Sequence, residues 1–230
     1  SASLVGSEMC IRDRESDLAE MMNLGGDERI YPASMTKIMT ALLTIENLPD
    51  LNETITVPED IFEELTAQDA SVAGFNPYEQ PTVRDLLYGV LLPSGADACE
   101  TLARAVGGSE EGFVAMMNQK AEELGLTNTH FENCTGLHND NHYSTCRDIA
   151  VLMSECLKSD TFREIVTREV YTTEATASHP EGITLYDTML HRFTSYEMST
   201  TLENGAVIEG GKTGFTDEAG QCLVSFAEYG

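Results

Sequence analysis

Pro32-Ala33-Ser34-Met35-Thr36-Lys37, running on into Ile38-Met39-Thr40-Ala41-Leu42-Leu43-Thr44-Ile45, sets a hydroxyl three residues before an amine at the head of an apolar run. Read as a helix, this stretch puts Met35, Ile38, Met39, Leu42 and Leu43 on one face at the i, i+3, i+4, i+7, i+8 spacing of a buried stripe. Ser34 and Lys37 then stand side by side. Pro32 suits the first turn of a helix or the segment before it, so Ser34 falls near the N-terminus, where backbone N–H groups lack intrahelical partners and can stabilise an oxyanion. A serine hydroxyl is a weak nucleophile until a base removes its proton, and a lysine can do so only as the neutral amine. Bringing a lysine from its ordinary pKa of about 10.4 to about 7 costs roughly 4 kcal/mol. That calls for desolvation on an apolar helix and a second cation nearby.

An isolated Ser-x-x-Lys is unspecific, so its company matters. Two further stretches have the right character: Leu91-Leu92-Pro93-Ser94-Gly95-Ala96-Asp97 and Glu209-Gly210-Gly211-Lys212-Thr213-Gly214-Phe215. They add a second hydroxyl on a loop and a second amine beside glycines that let another backbone approach.

The totals bound the rest. A chain of 230 residues, 41% hydrophobic, can bury one substantial core or two lobes sharing a cleft. Its 13 basic and 39 acidic residues leave a net charge of -26, which argues against nucleic-acid or anionic-membrane partners and for a self-repelling, soluble surface. No apolar stretch reaches membrane-spanning length, and no charged-then-apolar export signal opens the chain.

Taken in order, residues 1–14 contain Leu4-Val5-Gly6-Ser7-Glu8-Met9-Cys10-Ile11-Arg12-Asp13, which resembles a translated sequencing adapter and is set aside from the fold. The expectation is a gene truncated at its start, without its export signal and first sheet strand, leaving residues 15–230 as one domain. Asn52 to Val57 alternates like a short strand. Thr82 with Asp85 opens a helix burying Leu86, Leu87, Val90 and Leu91, and Pro93 ends it. Ser94 then lies on a loop before a helix from Asp97 to Val106 that closes at Gly107-Gly108. Ser109 caps a helix to Leu124, and Thr145 with Asp148 starts another, carrying Ile149, Leu152, Met153 and Cys156 inward. Ile165 to Thr172 and Gln221 to Ala227 read as strands of one antiparallel sheet, with Val207-Ile208-Glu209 leading into the Lys212 stretch. The expected fold is α+β: an antiparallel sheet flanked by helices, from residues 15–47 and 161–230, and a mostly helical lobe over about 48–160, with the three stretches meeting between them.

Together and in this order, the three stretches resemble the motif set of penicillin-binding serine enzymes and serine β-lactamases. Tyr31 to Lys37, Leu92-Pro93-Ser94-Gly95, His142-Tyr143-Ser144-Thr145 and Gly211-Lys212-Thr213-Gly214 are most similar to the low-molecular-weight D-alanyl-D-alanine carboxypeptidases. The likeness runs from about Asp27 to the end. It implies a β-lactamase/transpeptidase-like fold and an extracytoplasmic, cell-envelope enzyme that removes the terminal D-alanine from peptidoglycan stem peptides, with no metal or organic cofactor and with β-lactam antibiotics as covalent inhibitors. Ser34 would be the acylated nucleophile, Lys37 its base and Ser94 a proton relay. Lys212 and Thr213 would bind the substrate carboxylate, with Lys212 also the cation that keeps Lys37 neutral. Gly214 would admit the substrate strand, and the Phe215 N–H would join that of Ser34 in an oxyanion hole. One departure stands out: the second motif of the family ends in Asn, where this chain has Ala96. Family members also continue with a further sheet strand, so an unpaired edge beside the Phe226 strand is expected at the end of this chain.

Rival readings are a serine β-lactamase or D,D-endopeptidase, for which no Glu-bearing loop is evident, and a penicillin- or cell-wall-binding protein that acylates slowly or not at all. Cys134, His138, His142 and Cys146 stand four apart, as in a zinc site, but Gly136 and Asn139-Asp140-Asn141 disfavour the helix that would align them. Besides Cys10, the five cysteines Cys99, Cys134, Cys146, Cys156 and Cys222 make no disulfide framework, and a Cys134–Cys146 bond is left open.

Overall fold

The computed structural model describes residues 2–5, 8–13 and 19–228, with side chains described from residue 24 onward. Three strands come first, β1 (Ala2–Val5), β2 (Glu8–Asp13) and β3 (Ala19–Leu24). A 3-10 turn over Ala33–Thr36 leads into α1 (Lys37–Asn47), followed by α2 (Ile61–Ala67), α3 (Val83–Leu91), α4 (Ala96–Gly107), α5 (Glu110–Glu123), α6 (Cys146–Cys156) and α7 (Asp160–Val166). The chain closes with β4 (Val170–Thr172), β5 (Thr184–Tyr186), α8 (Leu190–Ser195), β6 (Val207–Thr216) and β7 (Gly220–Glu228). The main sheet is antiparallel in the order β3-β2-β1-β7-β6, which leaves β6 as an edge.

Residues Ala2–Val5 and Glu8–Asp13, set aside in the sequence reading, thus run as strands of this sheet. The boundary read at residues 14 and 15 falls outside the described residues. The unpaired edge expected beside the Phe226 strand is not found: β7 is bonded to β6 on one flank and to β1 on the other, with Val5 opposite Cys222 and Ala2 opposite Ser225.

The helix starts follow side-chain caps. Thr82 Oγ1 accepts the Asp85 N–H at 3.1 Å while an Asp85 carboxylate oxygen accepts the Thr82 N–H, satisfying two end donors of α3 reciprocally. Ser109 and Thr145 accept the Gly112 and Asp148 N–H groups at the heads of α5 and α6. Helix α1 is the centre of the molecule. Its predicted stripe of Met35, Ile38, Met39, Leu42 and Leu43 is buried, but so are Ala41, Thr40 and Thr44 on its other faces. A helix apolar or satisfied all round belongs inside a core. Thr44 returns its hydroxyl to the Thr40 carbonyl, and Thr40 donates to the Cys134 carbonyl at 2.6 Å, so neither buried hydroxyl is left unbonded.

Three expectations are corrected. Ile165 and Val166 end helix α7 instead of opening a strand, because Ser159 caps that helix and Phe162, Ile165 and Val166 enter the core at helical spacing. Val170–Thr172 is a strand, yet it pairs with β5 in a separate two-stranded ribbon. Asn52 to Val57 contributes only a bridge at Thr54, with Thr82, although Ile55 and Val57 donate to the Pro81 and Glu79 carbonyls. The turn at Ala33–Thr36, α6 and α7 pack on the sheet, and α1 sits among α3 to α7.

Candidate active site

Ser34 lies in the 3-10 turn and Lys37 opens α1, so both stand where the chain enters the core. Ala33, just before Ser34, holds φ at +47°, a conformation that costs a non-glycine residue of order 1 kcal/mol and is kept where surrounding structure over-determines it. The Lys37 amine, 3% exposed, lies 3.0 Å from Ser34 Oγ, within hydrogen-bond reach, and donates to the Thr135 carbonyl at 2.6 Å. Burial pulls its pKa down from the ordinary lysine range, against the nearby Cys99, Cys134, Asp97 and Glu100. Between the two, the Thr36 hydroxyl meets His142 Nε2 at 2.8 Å. His142 Nδ1 accepts the Glu132 N–H at 3.1 Å, so Nε2 carries the proton and donates to Thr36. Burial pushes this imidazole down to about 4, so it is neutral at physiological pH.

Ser94 sits between α3 and α4 with φ at +66°. A capping role, the plain alternative for a serine after proline, does not hold: Gly95 occupies the N-cap of α4, and Ser94 Oγ accepts instead from the Lys212 amine at 3.0 Å. Asp97 turns away from the motif. Its carboxylate gathers the N–H groups of Ala73, Gly74 and Phe75 at 2.7–3.0 Å, fixing the loop against which Gly95 packs. Ala96 offers Lys37 no acceptor, and the Thr135 carbonyl is the one the amine finds. The sequence signal for Thr135 was weak, since a backbone oxygen carries no residue preference.

Lys212 lies on β6, 1% exposed, and donates to Ser94 Oγ and to its neighbour's carbonyl at Thr213, 2.9 Å away. Burial first, and then the charge of Lys37, push it down to about 7. Two buried amines whose charges act on one another disfavour a second positive charge. Thr213 Oγ1 pairs with Thr188 Oγ1 at 2.5 Å, a partner the sequence reading missed. Both line a cavity of about 540 Å3 together with Arg192, Phe193 and Met198, and Arg192 is the one cation among its lining residues. Gly214 is pressed against the nucleophile's backbone: a Cβ there would lie 2.9 Å from Ser34 N and 3.1 Å from Ala33 Cβ. Phe215 follows with its ring largely exposed. Ser34, Lys37, Ser94 and Lys212 are therefore neighbours: Lys37 touches Ser34, Lys212 touches Ser94, the charge of Lys37 acts on Lys212, and β6 packs its Gly214 against the Ser34 backbone.

The four side chains of the zinc-like spacing disperse. Cys134 donates its thiol to Glu100 at 3.3 Å, His142 is held by Thr36 and Glu132, and His138 faces Asp140 and Glu218. Cys134 therefore carries no bond to Cys146. Glu100, Glu110 and Cys134 do bring ligand atoms within 4.8 Å of one another. Burial holds that thiol well above its ordinary range and lifts the Glu100 carboxyl to about 7, so the cluster binds protons at neutral pH. Among the described residues no helix is long and apolar enough to cross a membrane.

A family model described as D-alanyl-D-alanine carboxypeptidase matches residues 18–230. The chain is 35% identical over 218 residues to the D-alanyl-D-alanine carboxypeptidase DacF of Bacillus subtilis, covering 94% of this chain and 53% of that protein. It is 36% identical over 212 residues to the D-alanyl-D-alanine carboxypeptidase of Streptomyces sp. strain K15, covering 89% of this chain and 70% of that one. Among solved structures, the Streptomyces K15 DD-transpeptidase matches with a TM-score of 0.84 at 32% identity, over 98% of this chain and 86% of its own. Penicillin binding protein 5 from Haemophilus influenzae matches at 0.76 and 28% identity, over 91% and 58%. The chain thus spans about half the length of the Bacillus relative.

Proposed function

We propose, from the premise that the chain belongs to the D-alanyl-D-alanine carboxypeptidase family, that it cleaves the terminal D-alanine from peptidoglycan stem peptides through an acyl-enzyme on Ser34. The observation that carries this reading is the pair of 3.0 Å contacts, Lys37 to Ser34 and Lys212 to Ser94, with the charge of Lys37 acting on Lys212. Neutral Lys37 takes the Ser34 proton as Oγ attacks the carbonyl between the two D-alanines. The Ser34 N–H, against which Gly214 packs, and the N–H of the next residue, Phe215, would stabilise the oxyanion. As the C–N bond breaks, the leaving amine takes a proton through Ser94, and D-alanine departs. Water then attacks the ester, returning Ser34 and the shortened peptide.

Lys212 is too buried to clasp a carboxylate in the open; its charge acts from behind Thr213, whose hydroxyl with that of Thr188 faces the cavity that Arg192 also lines. The same acyl-enzyme chemistry makes β-lactams covalent inhibitors, and the substrate locates the activity outside the cytoplasm. Incubation with diacetyl-Lys-D-Ala-D-Ala should release free D-alanine, and Ser34→Ala should abolish both release and labelling by a fluorescent penicillin. Labelling that persists in Ser34→Ala would refute the nucleophile. Penicillin turnover faster than D-alanine release would favour a β-lactamase, and labelling without release a binding protein.

A further inference from the structure

We propose that Asn133 is a positioning residue for Lys37, aiming the Thr135 carbonyl at the amine so that the amine's lone pair is left to the Ser34 hydroxyl. The inference rests on Lys37 being the base. A neutral amine has two N–H groups and one lone pair, and it can take the Ser34 proton only if the lone pair faces Oγ. An acceptor that engages an N–H from the far side fixes that orientation. Thr135 O is such an acceptor, at 2.6 Å, and Ala96 cannot supply another.

The direction of this carbonyl is set by the turn that carries it. Asn133 Oδ1 accepts the Gly136 N–H at 2.7 Å and the Thr135 hydroxyl at 3.3 Å, while its Nδ2 donates to the Leu137 carbonyl at 2.9 Å. One side chain thus ties together residues 135, 136 and 137 of the turn that carries Thr135 O. Thr40 of α1 fastens the residue before, through the Cys134 carbonyl. Gly136, with φ at +84°, lets the turn lie directly against the Ala33 carbonyl, where any Cβ would overlap. The charged and titratable groups around Lys37 are Asp97, Cys99 and Glu100 on α4, Cys134 on the turn, Lys212 on β6 and His142. These govern whether the amine is protonated; the uncharged Asn133 governs where its lone pair points.

A carbonyl acceptor favours the ammonium over the amine, so a misaimed Thr135 O lowers the Lys37 pKa even as it spoils the geometry. The test is the acylation rate with a fluorescent penicillin as a function of pH, for the wild-type chain, Asn133→Ala, Asn133→Ser and Lys37→Ala. Asn133→Ala should lower the plateau rate by at least about tenfold, the scale of a small misplacement of a reacting group, with its acid limb moved to lower pH and affinity for the reversible complex within about threefold. Asn133→Ser, which keeps an oxygen for the Gly136 N–H, should recover part of the plateau. It carries the test by the same two criteria if Asn133→Ala does not fold. A wild-type plateau in either folded variant, or a fall with the acid limb unmoved, would overturn the positioning role. Acylation that survives in Lys37→Ala would instead remove the base assignment itself.

Discussion

His142 shows how a single side chain couples pH to this fold. Its imidazole must be neutral to accept the Glu132 N–H while donating to Thr36. Its pKa is pushed to about 4 in the folded chain against an ordinary 6.5, so the unfolded chain binds more protons between those values. The contribution is full above pH 6.5 and lost as pH falls through 4, a loss of about 3 kcal/mol. Asp187 and Glu100, lifted to about 6 and about 7, act with the opposite sign in the same range. The His142 effect is therefore to be read as a difference: urea unfolding of the wild type and of His142→Asn should converge on acidification from pH 7 to 4. Parallel curves would contradict it. At this scale the motif lettering already singled out Ser34, Lys37, Ser94 and Lys212, which the structure brings into contact in pairs, because the proposed chemistry demands those side chains. Thr135, Asn133 and Thr188 stayed hidden, because a carbonyl oxygen or a supporting hydroxyl can come from many residue types.

Among elements, α8 places Arg192 at the cavity that Thr188 and Thr213 line, where among the described lining residues it is the one guanidinium, and under the proposed function it would meet the substrate carboxylate. Arg192→Ala should raise KM for a D-Ala-D-Ala peptide by about tenfold, as expected of one part-exposed charge-assisted hydrogen bond, with kcat little changed. An unchanged KM would place the carboxylate with the threonines alone. The caps at Thr82, Ser109 and Thr145 were legible, since a short polar side chain three residues before a matching donor is a local signal. The strand expected over Ile165 to Thr172 is found only at Val170–Thr172, because a short apolar run such as Ile165-Val166 suits the end of a buried helix as well as a strand. Only the packing of Phe162, Ile165 and Val166 into the core decides between them.

Over the whole molecule, the charge of -26 dominates long-range electrostatics. Self-repulsion of that size destabilises the compact state and is screened by salt, since the Debye length shrinks from about 30 Å at 0.01 M to about 10 Å at 0.1 M. The melting temperature should therefore rise over that interval; a fall would mean that the ion pairs, such as Arg104–Asp60 and Lys120–Glu46, outweigh the repulsion. By itself the sequence determined the family resemblance, the buried helix that follows Ser34, and the α+β class, all properties of local spacing and side-chain chemistry. The tertiary structure alone decided which strand lies beside β7, which carbonyl receives Lys37, and how close the two amines come. Those depend on contacts between residues far apart in the chain, such as Lys37 with Thr135 and Val5 with Cys222, and the geometry of such contacts is set only when the core closes.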